Sequence, residues 1–117
     1  MSVIRIVPNL PATDPVTLAR FYAEVFDLDV PMDMGWIAFL QNDQSHQIEL
    51  HTASEGGSGT DIPVISIEVD DFAATLDRLN ARQITPSYGP VDEPWGIRRF
   101  YFSDPEGNLV NVVTHIN

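Results

Sequence analysis

Residues 93–115, EPWGIRRFYFSDPEGNLVNVVTH, read as two β-strands joined by a tight turn. Aromatic and β-branched side chains dominate both arms, and DPEG at 104–107 sets proline and glycine where a type I turn takes them. The turn is therefore assigned no chemistry. Side chains alternate across a strand, so Arg98 and Arg99 face opposite sides, one with Phe100 and Phe102, the other with Ile97 and Tyr101. An arginine on the inner side would clamp an anion or pair with a carboxylate such as Glu49, whereas one on the outer side meets surface acids. In the second arm a polar residue, Asn111, is set between Val110 and Val112.

Working outward from this hairpin, the same order of elements occurs twice. VIRIV at 3–7 has the β-branched content of a strand, and PNLPATDPVTLARFYAEVF then supplies a proline-bounded loop and a helix to about Phe26. Asp14 is its N-cap: the carboxylate accepts N–H groups that a helix start leaves unpaired, and Pro15 lacks the donor that the first turn would waste. Leu18, Phe21, Tyr22 and Val25 recur at helical spacing and make one apolar face. Strands follow in LDVPM, WIAFLQ and HQIELHT. IPVISIEV at 62–69 begins the order again, with Asp70 and Asp71 as caps and a helix over about 72–82 that shows Phe72, Leu76 and Leu79 on one face. Strands in ITPSYG, GIRRFYFS and NLVNVVTH complete it. TASEGGSGTD between the halves has the composition of a flexible connector, and its EGGSG lacks the lysine and the strand-to-helix frame of a phosphate loop. The expected architecture is α+β, a single domain over 1–117 built from two βαβββ modules, about 1–52 and 62–117, with a linker of about 53–61.

Seventeen acidic residues against six basic ones give a formal charge of −11. Such a surface repels phosphate backbones, so no nucleic acid partner is expected. The acidity either draws a cationic ligand or keeps the surface solvated. All six basic residues are arginines, which excludes Schiff-base chemistry through lysine. The absence of cysteine excludes disulfides, thiolate nucleophiles and cysteine-bound zinc. No serine stands in a nucleophile-elbow sequence. No run approaches the roughly 18 apolar residues of a membrane span, and MSVIRIVPNLPATD lacks the apolar stretch of a signal peptide. A cytoplasmic protein without membrane contact is expected.

LPATDPVTLARFYAEVFDLDV at 10–30 and WGIRRFYFSDPEGNLVNVV at 95–113 resemble the glyoxalase / bleomycin-resistance / extradiol-dioxygenase superfamily, also called vicinal oxygen chelate. PNLPATD, and the WG before the last hairpin, are most similar to its bleomycin-resistance branch. The resemblance implies that the two modules form a curved mixed sheet around a cavity and that the chain is a homodimer, with modules exchanged between chains in some members. In metal-dependent members it implies four ligands, from the first and fourth strands of each module. Carried over by counting from Asp14, Asp71 and Gly107, three of those positions fall on Val7, Val64 and Asn111, and QIELH in the fourth strand places the other at Glu49. Two valines and an amide leave Glu49 alone, where a catalytic divalent ion normally keeps about three protein ligands. The neighbours Ile6, Pro8, Pro63 and Ile65 supply none if the register slips by one. No cofactor is therefore expected. The alternative keeps a divalent metal, with Glu49 and His51 forming half a site together with His46 or His115, and Asn9 as a further candidate.

Glu49 and His51 project with Gln47 from one strand face, opposite Ile48 and Leu50. A histidine beside a carboxylate works as an acid or base near neutral pH, or only makes hydrogen bonds; these two are the catalytic candidates if there is catalysis. Trp95, close to Asp92 and Glu93, suits stacking on a planar or cationic group, or else packs at a dimer seam. Trp36, Ala38 and Leu40 share a strand face opposite Ile37 and Phe39, and either set can be core. The ligand-binding candidates are Trp36, Glu49, His51, Trp95, Tyr101 and Asn111. The expected function is metal-free binding of an aromatic or cationic small molecule, such as an antibiotic, by sequestration. The alternative is a divalent-metal-dependent glyoxalase-like lyase, isomerase or dioxygenase, and a third reading is a dimeric interaction module with a vestigial cavity.

Overall fold

The computed structural model describes residues 1–42 and 49–116. The elements run β1 (Val3–Pro11), α1 (Pro15–Phe26), β2 (Asp29–Asp33), β3 (Ile37–Gln41), β4 (Glu49–Ala53), β5 (Ile65–Val69), α2 (Phe72–Ala81), β6 (Tyr88–Glu93), β7 (Ile97–Ser103) and β8 (Leu109–His115). The architecture is α+β, with the βαβββ order present twice. Two compact units form, one of Val7–Ile62 and one of Met1–Ile6 with Pro63–Asn117. The break falls inside β1, whose first residues belong with the second half of the chain.

In the Val7–Ile62 unit the strand order is β2-β3-β4-β1. β4 lies parallel to β1, with Asn9 opposite His51, and antiparallel to β3, with Phe39 opposite His51. Ala38 and Leu40 of β3 and Ala19 of α1 are fully buried together, and Tyr22, Ala23, Leu28 and Leu50 pack around them. The Asp14 carboxylate accepts from Thr17 N–H at 3.2 Å and from the Thr17 hydroxyl at 2.7 Å, which starts α1 as the Asp-Pro pair requires. Asp27, in the left-handed region at φ 55°, ends it. Of the apolar stripe read from the sequence, Tyr22 packs inward while Phe21 and Val25 stay exposed. The line through Ala19, Tyr22 and Ala23, not the bulkier flank of Phe21 and Val25, meets the core.

The second unit repeats this topology, in the order β5-β8-β7-β6 with β8 parallel to β5. Val69, Phe100 and Val112 form its buried core against Phe72, Leu76 and Leu79 of α2. Asp71 alone caps α2, accepting from Ala74 N–H at 3.0 Å. Asp70, read as a second cap, instead accepts from Ser2 N–H at 2.7 Å and ties the start of the chain to the end of β5.

Strand β6 differs from expectation. The sequence points to ITPSYG, yet the ladder against β7 begins with Ser87 N–H donating to Tyr101 C=O at 2.8 Å and continues to Glu93. Gln83 at φ 62° and Ile84 N–H, which donates back to Leu79 C=O, hold the preceding residues to the end of α2. Pro90 is tolerated because β6 is an edge strand, and the register shifts between Tyr88 and Val91. The stretch read as a flexible connector closes on itself, with Gly56 N–H donating to Thr60 C=O and Gly59 N–H to the Glu55 carboxylate, and Gly56 and Gly57 are buried. Among the described residues no helix is long and apolar enough to cross a membrane.

Candidate functional site

Each sheet has one face committed to its helix, and the polar candidates collect on the other. In β4 the alternation sends Leu50 and Thr52 toward α1, where the Thr52 hydroxyl donates to Pro15 C=O at 2.8 Å. Glu49 and His51 therefore face away from the helix. His51 Nε2 is hydrogen-bonded to Glu49 Oε2, and the side chains are only 7% and 10% exposed. Gln41 Nε2 donates to Glu49 Oε1 at 3.3 Å from the adjacent β3. The His51 ring stacks face to face on Phe39, with centroids 3.9 Å apart, and buried Asn9 stands opposite it in the β1 register. An imidazole oriented by a carboxylate and clamped by a ring can accept or hold a proton at its other nitrogen. Gln47, Ile48 and His46 lie outside the described residues.

Trp36 precedes β3 and is half-buried; its carbonyl accepts from Ser54 N–H at 2.9 Å. Continuing the alternation of β3 would set it with Ala38 and Leu40, which pack on α1.

The second unit carries a larger cluster. Arg99 and Tyr101 alternate with Phe100 and Phe102, which enter the α2 core, so both point to the face away from α2, and both are buried. Arg99 pairs with Glu93 across the hairpin, not with Glu49: its Nε and a terminal nitrogen donate to Glu93 Oε2 at 2.7 and 2.5 Å. The other terminal nitrogen donates to the Tyr101 hydroxyl at 2.8 Å, and the Tyr88 hydroxyl donates to the same Glu93 oxygen at 3.0 Å. The guanidinium carbon lies 4.9, 5.2 and 5.4 Å from the ring centroids of Tyr101, Trp95 and Tyr88, within cation–π range of all three. Trp95, expected to stack on a planar or cationic group, thus stacks on the chain's own cation. Arg98, on the opposite side, is exposed and pairs with Asp92, whose carboxyl that hydrogen bond holds below its ordinary range while raising the Arg98 guanidinium.

Asn111, opposite Tyr101 in the register, donates from Nδ2 to Ser66 Oγ at 3.0 Å, while its Oδ1 is buried without a hydrogen-bond partner. His115, weighed above as a partner for Glu49, is bonded through Nδ1 to Glu68 at 2.9 Å, and Glu68 also accepts from Arg5 Nε at 2.6 Å. Among the described residues no three His, Asp or Glu side chains converge as metal ligands do. Val7 is 1% exposed and apolar, Val64 has no donor atom, and the one carboxylate at a ligand position, Glu49, is bonded to His51 and Gln41. Among the described residues, the four positions named by the resemblance supply one carboxylate and one amide, fewer donors than the three or so protein ligands a catalytic divalent ion normally keeps.

Sequence reasoning singled out Trp95, Tyr101 and the Arg98/Arg99 alternation. It missed Tyr88, Ser66 and the role of Glu93. Glu93 and Ile97 flank the Pro-Trp-Gly turn as a cross-strand pair, a relation visible only once β6 is seen to run through Pro90 to Glu93.

The model of the Glyoxalase/Bleomycin resistance protein/Dioxygenase superfamily matches residues 5–112. The chain belongs to that superfamily. A superfamily member from Vibrio splendidus 12B01 is similar in structure, with a TM-score of 0.67 at 19% identity, over 98% of this chain and 100% of the other. A Streptomyces coelicolor methylmalonyl-CoA epimerase variant, solved with 2-nitronate-propionyl-CoA, gives 0.68 at 18% identity over 99% and 100%. A Legionella pneumophila chain described as an NAD-dependent benzaldehyde dehydrogenase gives 0.71 at 11% identity over 95% and 99%. At these identities the likeness is one of fold. No protein with a curated description matches in sequence.

Proposed function

We propose that this superfamily member is a small-molecule binding protein that recognises an aromatic or cationic compound through ring stacking and hydrogen bonds, without a resident divalent ion, and acts in the cytoplasm by sequestration. The observation that supports it is the donor set at the four positions named by the resemblance: buried Val7, Val64, an amide at Asn111, and Glu49 already bonded to His51 and Gln41. Sequestration requires affinity alone, and buried polar groups beside stacked rings supply it. The deciding experiment is the divalent-metal content of protein purified without chelator or metal-binding tag, followed by thermal shift with nickel, zinc, manganese and iron(II) and with a panel of aromatic and cationic antibiotics. The expected result is no stoichiometric ion, no stabilisation by ions and a clear shift with an aromatic compound. A stoichiometric ion lost in Glu49→Gln would overturn the reading and direct attention to glyoxalase-like turnover.

A further inference from the structure

We infer that the face of the β6–β7 hairpin is a guanidinium site whose occupant is the chain's own Arg99, and that Arg99 thereby closes this site to organic cations. The inference rests on the binding reading above and narrows its ligand class. Recognition of an alkylguanidinium or amidinium needs π faces over the plane, a carboxylate at the N–H edge and an acceptor for the remaining N–H. All of these are assembled here. Trp95, Tyr88 and Tyr101 lie within cation–π distance of the guanidinium carbon, Glu93 Oε2 takes two N–H groups, and the Tyr101 hydroxyl takes a third. The Tyr88 hydroxyl donates to the same carboxylate oxygen and helps to hold it in place. Arg99 and Glu93 are each 3% exposed in their side chains, so the pair is sealed from water.

A soluble cation must displace a group tethered to the backbone beside the site, whose effective concentration far exceeds that of a free ligand. Glu93, already paired, presents no net charge to attract it. The chain therefore favours neutral planar ligands on this face, although its overall charge attracts cations.

Arg99→Ala empties the cage while keeping its walls. Benzamidinium and methylguanidinium are the probes, benzamide the neutral shape control and sodium chloride the ionic control, read by thermal shift and calorimetry. Benzamidinium is expected to bind Arg99→Ala about tenfold or more tightly than wild type, with benzamide unchanged. Because an unpaired buried Glu93 destabilises the variant, refolding in millimolar methylguanidinium provides a second reading: recovery of folded Arg99→Ala with that cation and not with sodium chloride is expected. The double variant Glu93→Gln/Arg99→Ala should fold without rescue and lose the gained affinity. Equal benzamidinium binding by wild type and Arg99→Ala, failure of methylguanidinium to rescue an unfolded Arg99→Ala, or undiminished binding by the double variant would each overturn the inference. A wild-type protein that binds aromatic ligands in the antibiotic panel while Arg99→Ala gains no cation affinity sinks the cage and leaves the binding reading standing. A stoichiometric metal ion does the reverse.

Discussion

Replacing Asn111 by leucine together with Ser66 by alanine should leave the ligand-free protein as stable as wild type or more so. Asn111 is 6% exposed, and of its two polar ends one donates to Ser66 at 3.0 Å while Oδ1 has no partner. A buried acceptor left unpaired costs about 1–3 kcal/mol, and a neutral side-chain hydrogen bond contributes about 1 kcal/mol. Leucine repeats asparagine's branching at Cγ with a larger volume, part of which the lost Ser66 hydroxyl accommodates, and it removes the unpaired oxygen, while Ser66→Ala removes the hydroxyl that would otherwise lose its donor. The balance runs from about zero to about 2 kcal/mol in favour of the double variant. For a chain of this length that is a rise in Tm of up to about 10 °C. Urea unfolding with an unchanged m-value would measure it. A loss of more than about 1 kcal/mol would refute the reasoning, because the polar pair would then contribute more to stability than its unpaired oxygen costs. An acceptor kept unpaired at a cost fits a site waiting for a donor from a ligand, so the same variant should lose affinity for whichever aromatic compound shifts the wild type.

Two further outcomes follow from backbone and charge. Gly89, at φ 76°, would place an added Cβ 2.6 Å from Arg99 C=O and 3.0 Å from Val91 N, so Gly89→Ala should destabilise by about 2 kcal/mol or more in urea and speed amide exchange along β6; a change below about 0.5 kcal/mol would contradict that close approach. The Asp104 carboxyl is held below its ordinary range, first by the Asn108 side chain and then by the Asn108 and Glu106 N–H groups. Its folded value lies below its unfolded one, so the stability it contributes is present above the ordinary carboxylate range and is lost as pH falls through the lowered value. Asp104→Asn should flatten the acid limb of the stability–pH curve while altering it little at neutrality beyond a constant offset, and an unchanged acid limb would count against the assignment.

Both helices were legible because their starts carry local chemistry: Asp14 and Asp71 each accept an N–H three residues on, and no distant contact is needed to place them. The closing hairpin was legible for the same local reason, through its DPEG turn and its alternation. Strand β6 was not. Its residues include Gly89 and Pro90, which argue against a strand, and only pairing with Tyr101 and Arg99 of β7 overrides them. The exposed Phe21 and Val25 show the same limit: helical spacing identifies an apolar stripe, but which part of it is covered depends on which residues, here Ala19 and Tyr22, the sheet meets.

The candidate site divides along that line. Alternation alone assigned Glu49 with His51, and Arg99 with Tyr101, to common faces, because a period of two needs no partner strand. What each group meets is a cross-strand fact, and it changes the chemistry. Trp95 beside acidic residues pointed to a cationic ligand, and the structure supplies that cation from β7, with Glu93 as its counter-ion. An aromatic cage filled by a tethered guanidinium leaves unsaturated polarity elsewhere on the face, and the buried Oδ1 of Asn111, opposite Tyr101 in the same register, provides it. Under the proposed binding function, a ligand complementary to this face would be planar, uncharged at the cage and a hydrogen-bond donor toward Asn111. Within the proposed aromatic-or-cationic class, a neutral aromatic amide or phenol would meet those requirements and an ammonium compound would not.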